Sequence, residues 1–160
     1  MNQAALDSSH QHTRAVAHAL QGVLVDLIDL SLLAKHAHWN VRGTNFLPIH
    51  RLLDELVDDW RRLEDEVAER MAALGASPDG QVERVAARTL LEPLPAGPLS
   101  DSAVVTLLLV RVTSVIHRAS TARQEVESSD AVTDDLVSDV LRALEKHRWY
   151  LRAQRDVGEA

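Results

Sequence analysis

From about His12 to Trp39 the apolar residues Val16, Leu20, Val23, Leu24, Leu27 and Ile28 recur at intervals of three and four, while Val25, Leu30, Leu32 and Leu33 fill further faces. That period predicts a helix, and its apolar breadth predicts contacts on more than one side. Asn40 and Gly43 break the pattern in NVRGTNF. Asn45 then offers a cap, with Pro48 in the first turn, for a second helix. It carries Ile49, Leu52, Leu53, Leu56, Trp60, Leu63, Val67, Met71 and Leu74 at helical spacing and stops at Gly75. Residues 76–99 hold four of the five prolines, and within them QVERVAARTLL has the pattern of a short helix. Ser100 and Asp101 open a third helix through VVTLLLVRVTSVIHRA, SSDAVTDD interrupts, and LVSDVLRALEKHRWYLRAQRD makes a fourth. The expected architecture is an all-α four-helix bundle over residues 12–157, with a long crossover containing a short helix between helices 2 and 3. Residues 1–11 are polar and are expected to form a flexible N-terminal tail.

Composition narrows this picture. A chain of 160 residues suits one domain with a single core, and 46% apolar residues with only 3% aromatic make that core aliphatic. Six glycines and five prolines are too few for the many turns of an all-β fold. The absence of cysteine excludes disulfides and thiolate metal sites. No uninterrupted apolar run reaches the ~18 residues of a membrane span, so a soluble, cytoplasmic protein is expected.

The second helix also carries a polar stripe. With His50 at zero and 100° per residue, the apolar set centres near 260°, whereas His50, Asp54, Asp65 and Glu69 fall between roughly 0° and 100°. These four face away from the helix's own core stripe. Asp54 and Asp65 are eleven positions apart, about 16 Å along the axis, far beyond the reach of one metal ion whose bonds are about 2 Å. Two arrangements satisfy the pattern. The acids are simply a solvated face, or the same helix of a second copy packs antiparallel across a two-fold axis, setting the 50/54 end of one against the 65/69 end of the other. His38, at the end of the first helix, would lie near the 50/54 end. Mixed imidazole and carboxylate donors suit iron, zinc or manganese.

The segment from Lys35 to Gly75, and more weakly the whole chain, resembles the Dps proteins, small ferritin-like cages of bacteria. The resemblance rests on His38, Trp39, Asn40, Gly43, Asn45, Phe46, His50, Asp54, Asp65, Ala68, Glu69 and Arg70. It implies a ferritin-like bundle and a ferroxidase site for two irons at a dimer interface. One subunit would supply His38, His50 and Asp54, and its two-fold mate Asp65 and Glu69. It further implies a homo-dodecameric shell that oxidises Fe(II) with hydrogen peroxide or oxygen, stores ferric mineral and so protects against oxidative stress. Trp39, beside His38, would be oxidised sacrificially when only one electron is available. Asp130, Asp135 and Asp139 resemble the acids lining the family's three-fold pore, through which iron passes; helix N-terminal acids favoured by the macrodipole have the same appearance.

The remaining histidines divide into groups. His10, His12 and His18 sit close together near the N-terminus, where a secondary metal site or simple exposure are the alternatives. His36 points to a different side of the first helix from His38, and His117 and His147 are isolated and read as structural. Trp60 lies with the core stripe, and Trp149 is assigned no chemistry.

Charge separates this chain from the DNA-binding activity of the family name. The first thirteen residues contain no Lys or Arg, and the chain has only two lysines, Lys35 and Lys146. At −7 per chain, twelve copies would carry −84, which repels a phosphate backbone. Direct DNA binding is therefore not expected; the alternative function is a DNA-compacting, nucleoid-associated architectural protein with a minor metal role.

Overall fold

The computed structural model describes residues 3–127 and 130–156, with side chains described from 13 to 155. Helix α1 spans Gln3–Asn40, α2 Phe46–Ala73, α3 Val82–Arg88, α4 Asp101–Val126 and α5 Ala131–Asp156; the two-residue strands β1 (Val41–Arg42) and β2 (Leu99–Ser100) lie in the connections. The four long helices form the ferritin-like bundle, and the crossover from α2 to α4 carries the short helix α3. Helix α1 begins at Gln3, within the segment expected to form a tail. Neither Gly nor Pro occurs before Gly22 to stop it, so the ladder continues beyond the apolar repeat.

The core is aliphatic, as composition requires. Leu20, Leu27 and Leu30 of α1 meet Leu53, Leu56 and Leu63 of α2, Leu108 of α4, and Leu144 and Leu151 of α5, with Trp60 the largest fully buried side chain. Helices α1 and α4 each hold a window apolar and long enough to cross a membrane, but 56% and 50% of those windows are buried in the bundle, which accounts for their hydropathy.

The helix ends explain how the chain turns. Asn40 Nδ2 donates to the His36 carbonyl at 2.8 Å, closing the last turn of α1. The chain then pairs in parallel with the far end of the crossover, Val41 against Leu99 and Arg42 against Ser100. Gly43 follows with φ 137°, and the Asp101 carboxylate occupies the space a Cβ would need. Asn45 sits at the N-cap of α2, yet its side chain makes no capping bond; Asp101 Oδ2 instead accepts the Asn45 N–H at 2.8 Å. At the other end Gly75, with φ 80°, donates to the Ala72 carbonyl at 2.9 Å, and Ala76 donates to the Met71 carbonyl at 3.0 Å. This paired pattern of a left-handed glycine satisfies the last carbonyls of α2.

The crossover is held by a buried charge. Asp26 of α1 is 0% exposed, accepts the Leu90 N–H at 3.0 Å and meets Arg118 Nε of α4 at 2.5 Å. Gly22 makes this possible, because a Cβ there would strike the Arg118 side chain as it crosses α1.

Candidate metal centre

The end of α1 and the start of α2 converge around the β1 turn, and the periodicity of both helices decides which residues meet there. His38 is buried, while His50 and Asp54 are half-buried one turn apart on α2. One ligand atom from each of these three lies within 4.8 Å of the others, the one such cluster among the described residues. The imidazoles stack with centroids 3.6 Å apart.

Reciprocal hydrogen bonds hold the pair. His38 Nδ1 donates to the His50 carbonyl at 3.0 Å, and His50 Nδ1 donates to the His38 carbonyl at 3.1 Å. A carbonyl only accepts, so each Nδ1 carries the proton and each Nε2 keeps its lone pair free for a cation. Asp54 Oδ1 lies 3.3 Å from His38 Nδ1 and accepts from Lys35 Nζ at 2.8 Å. The Lys35 hydrogen bond, aided by the charges around it, holds the Asp54 carboxyl below the usual carboxylate range, so it remains an anionic oxygen donor. Phe46 packs its ring 5.0 Å from that of His50.

Asp65 and Glu69 do not join this cluster within the chain. Both are exposed further along α2, and neither side chain makes a hydrogen bond or ion pair among the described residues. The burial pattern of α2 follows the wheel: Ile49, Leu53, Leu56, Val57, Trp60, Leu63, Val67 and Met71 are inside, and the ligand-type residues are not. Near the half-built cluster, Trp39 next to His38, and Phe46 and Leu47 at the start of α2, expose large apolar surface. Exposed apolar residues next to a ligand cluster are the kind of surface that a partner covers.

Other candidates are placed as follows. Asp130 is engaged at the start of α5: Arg70 Nη2 donates to both its oxygens at 2.9 and 2.7 Å, and the Thr133 N–H and hydroxyl donate at 3.2 and 2.7 Å. Burial pushes its pKa up, but the Thr133 and Arg70 hydrogen bonds outweigh that and hold it at about 2. It acts as a cap and ion-pair partner. Asp135 is exposed, and Asp139 pairs with Arg142 three residues on. The side chains of His10 and His12 lie outside the described residues; His18 is exposed. His36 meets the Pro95 carbonyl at 3.2 Å, away from the cluster. His147 is buried and structural in placement, with Trp60 donating to it at 3.0 Å.

Sequence reading missed Lys35 as a partner of Asp54. Its position three residues before His38 puts both on one face of α1, which was the available signal.

Comparison with known proteins follows from this geometry. Residues 17–159 match the sequence model of the ferritin-like domain. The DNA protection during starvation protein 2 of Deinococcus radiodurans is 36% identical over 135 residues, covering 84% of this chain and 56% of that one, so the chain spans little more than half of that relative's length. The DNA protection during starvation protein of Mycolicibacterium smegmatis is 35% identical over 138 residues, 86% of this chain and 75% of that one. The crystal structure of Dps92 from Deinococcus radiodurans superposes with a TM-score of 0.87 at 34% identity, covering 89% of this chain and 87% of that one.

Proposed function

Because the chain belongs to the ferritin-like family, and within it to the Dps proteins, we propose that it is an iron-detoxifying ferroxidase whose shell of about twelve chains stores the ferric product. The observation that carries this reading is the half-built site. His38, His50 and Asp54 are gathered within 4.8 Å, while Asp65 and Glu69 stand unused on the same outward stripe. A two-fold mate with α2 antiparallel supplies the missing carboxylates to each cluster.

The donor set suits Fe(II) as substrate. Each neutral imidazole offers Nε2 to the incoming ion, and the carboxylates, as hard anions, stabilise Fe(III) over Fe(II). Few protein ligands leave positions open for peroxide. Two irons held together give one electron each to one peroxide, which takes up two protons and leaves as water, so no hydroxyl radical is released. Trp39, exposed beside His38, would give up an electron when only one iron is present.

Rapid mixing of the iron-free protein with Fe(II) and hydrogen peroxide tests this reading, together with light scattering for size. Fast oxidation on a particle of about twelve chains is expected, with His50→Ala slow on a shell of the same size. A monomer, or oxidation no faster than in buffer, would contradict it.

A further inference from the structure

Between α1, the crossover helix α3 and α4 lies a cavity of about 400 Å³, with His18, Gln21, Gly22, Arg84, Arg88 and Arg118 in its lining. Acids outnumber Lys and Arg by 24 to 17 in the sequence, yet this wall holds three guanidiniums and an imidazole and no carboxylate. The charge of the surface is locally reversed there.

The arginines keep donors to spare. Asp26 meets Arg118 through Nε at 2.5 Å, and Asp79 meets Arg84 through Nε at 2.8 Å; neither acid lines the cavity. Arg118 Nη2 donates to the Arg88 carbonyl at 3.2 Å, while Nη1 has no hydrogen-bond partner among the described residues. Both Nη groups of Arg84, the whole guanidinium of Arg88 and the His18 ring are likewise without a hydrogen-bond partner among the described residues. Gly22 keeps the wall open, because a Cβ there would lie 2.8 Å from Arg118 Nη1. Arg118 is also set in advance. Its pairing with a fully buried carboxylate fixes the guanidinium, 22% exposed, so little rotamer freedom is left to lose on binding.

We propose that this cavity binds a phosphate dianion, either free or as the end of a small monoester. Guanidinium forks match phosphate oxygens in charge and geometry, and the spare N–H groups of three arginines surround one tetrahedral anion better than they would a flat carboxylate. Charge agrees with this. Asp79 and Asp26 neutralise Arg84 and Arg118, which leaves Arg88 as an uncompensated positive charge beside the His18 imidazole. The volume lies within the range of small-ligand pockets. A duplex backbone fits less well: its diesters are strung along a strand, and a chain of net charge −7 repels the polyanion, whereas a small dianion meets mainly the local field. None of the iron ligands lines the cavity, so the inference does not depend on the ferroxidase reading.

Calorimetric titration of the assembled, iron-free protein with inorganic phosphate, at fixed ionic strength, tests the site. Saturable binding of one phosphate per chain is expected, with a Kd of about 1 mM or tighter. Arg88→Gln alters an exposed side chain that holds no other part of the fold, and should weaken binding about tenfold, the scale of one charge-assisted hydrogen bond. Arg84→Gln should weaken it as well, and Arg152→Gln on α5 should leave it unchanged. Glycerol 1-phosphate separates the two sources: tighter binding than inorganic phosphate assigns the site to a monoester, equal or weaker binding to the free ion. No saturable heat up to about 10 mM, as when a carboxylate of a neighbouring copy fills the cavity, would overturn the proposal. So would binding unchanged in both Arg88→Gln and Arg84→Gln, or weakened equally in Arg152→Gln. Displacement of phosphate by a short DNA duplex would overturn it too, making the wall a nucleic-acid contact.

Discussion

Replacing Arg118 by Met removes the guanidinium that faces a carboxylate water does not reach. Asp26 is 0% exposed, Arg118 Nε approaches its Oδ2 at 2.5 Å, and the Leu90 N–H holds the other oxygen at 3.0 Å. Arg118→Met is close in length and keeps the packing over Gly22, so the main loss is charge. Breaking a buried pair from one side costs about 3 to 5 kcal/mol, a large share of the ~5–15 kcal/mol that stabilises a domain. The pH dependence gives a second signature. Burial already pushes the Asp26 carboxyl above its ordinary value of 3.8, against the pull of Leu90 and Arg118. A raised carboxyl destabilises the fold once pH exceeds the unfolded value, and the penalty vanishes as acid protonates it. Without Arg118 the rise is larger, so the gap to the parent should narrow between pH 7 and pH 5. Urea unfolding at equal chain concentration, at both pH values, measures this, and adding Asp26→Asn should recover about 2 kcal/mol at pH 7. A variant within about 1 kcal/mol of the parent, or a gap independent of pH, would refute the clamp.

Other expectations follow from the same packing. Asp130, held at about 2 against an ordinary 3.8, contributes roughly 2 kcal/mol that is present above pH 4 and lost as pH falls through about 2; Asp130→Asn should flatten the acid limb of the unfolding curve, and parallel curves would contradict this. Gly43→Ala forces a side chain into φ 137° against the Asp101 carboxylate, and should cost more than about 1 kcal/mol in melting experiments while slowing iron oxidation, since this turn joins His38 to His50. Plasmid DNA at about 50 mM salt should show no gel shift with the purified shell, because the chain carries −7; a robust shift without added divalent cation would show that the shell carries a cationic surface of its own.

The four long helices and the short crossover helix were legible because their apolar repeats are long and their stops fall at Gly43, Gly75 and the proline-rich segment. The outward stripe of α2 was legible for the same reason: a wheel orders residues within one helix. What periodicity cannot give is pairing between helices. Nothing local to Asp101 says that it caps α2 across the crossover, or that Trp60 and His147, 87 positions apart, share a hydrogen bond. Asp130 shows the same limit: an acid at a helix start looks alike in sequence whether or not it lines a pore, and its bond to Arg70, 60 positions away, leaves no local sign. The cluster of His38, His50 and Asp54 needed both sources, spacing for the face and structure for the reciprocal histidine bonds.

The central claim is that each iron site is divided between two chains, and subunit mixing tests it most directly. His50→Ala and Asp65→Ala shells, each assembled but slow, are dissociated, mixed in equal amounts and reassembled. In a mixed pair one site joins His38, His50 and Asp54 of the Asp65→Ala chain to Asp65 and Glu69 of the His50→Ala chain, while the other site lacks both replaced ligands. With random pairing half the dimers are mixed and half of their sites are whole, so roughly a quarter of the parent rate of Fe(II) oxidation should return. Reassembled shells shown by mass to contain both chains, yet as inactive as either variant alone, would contradict the shared site.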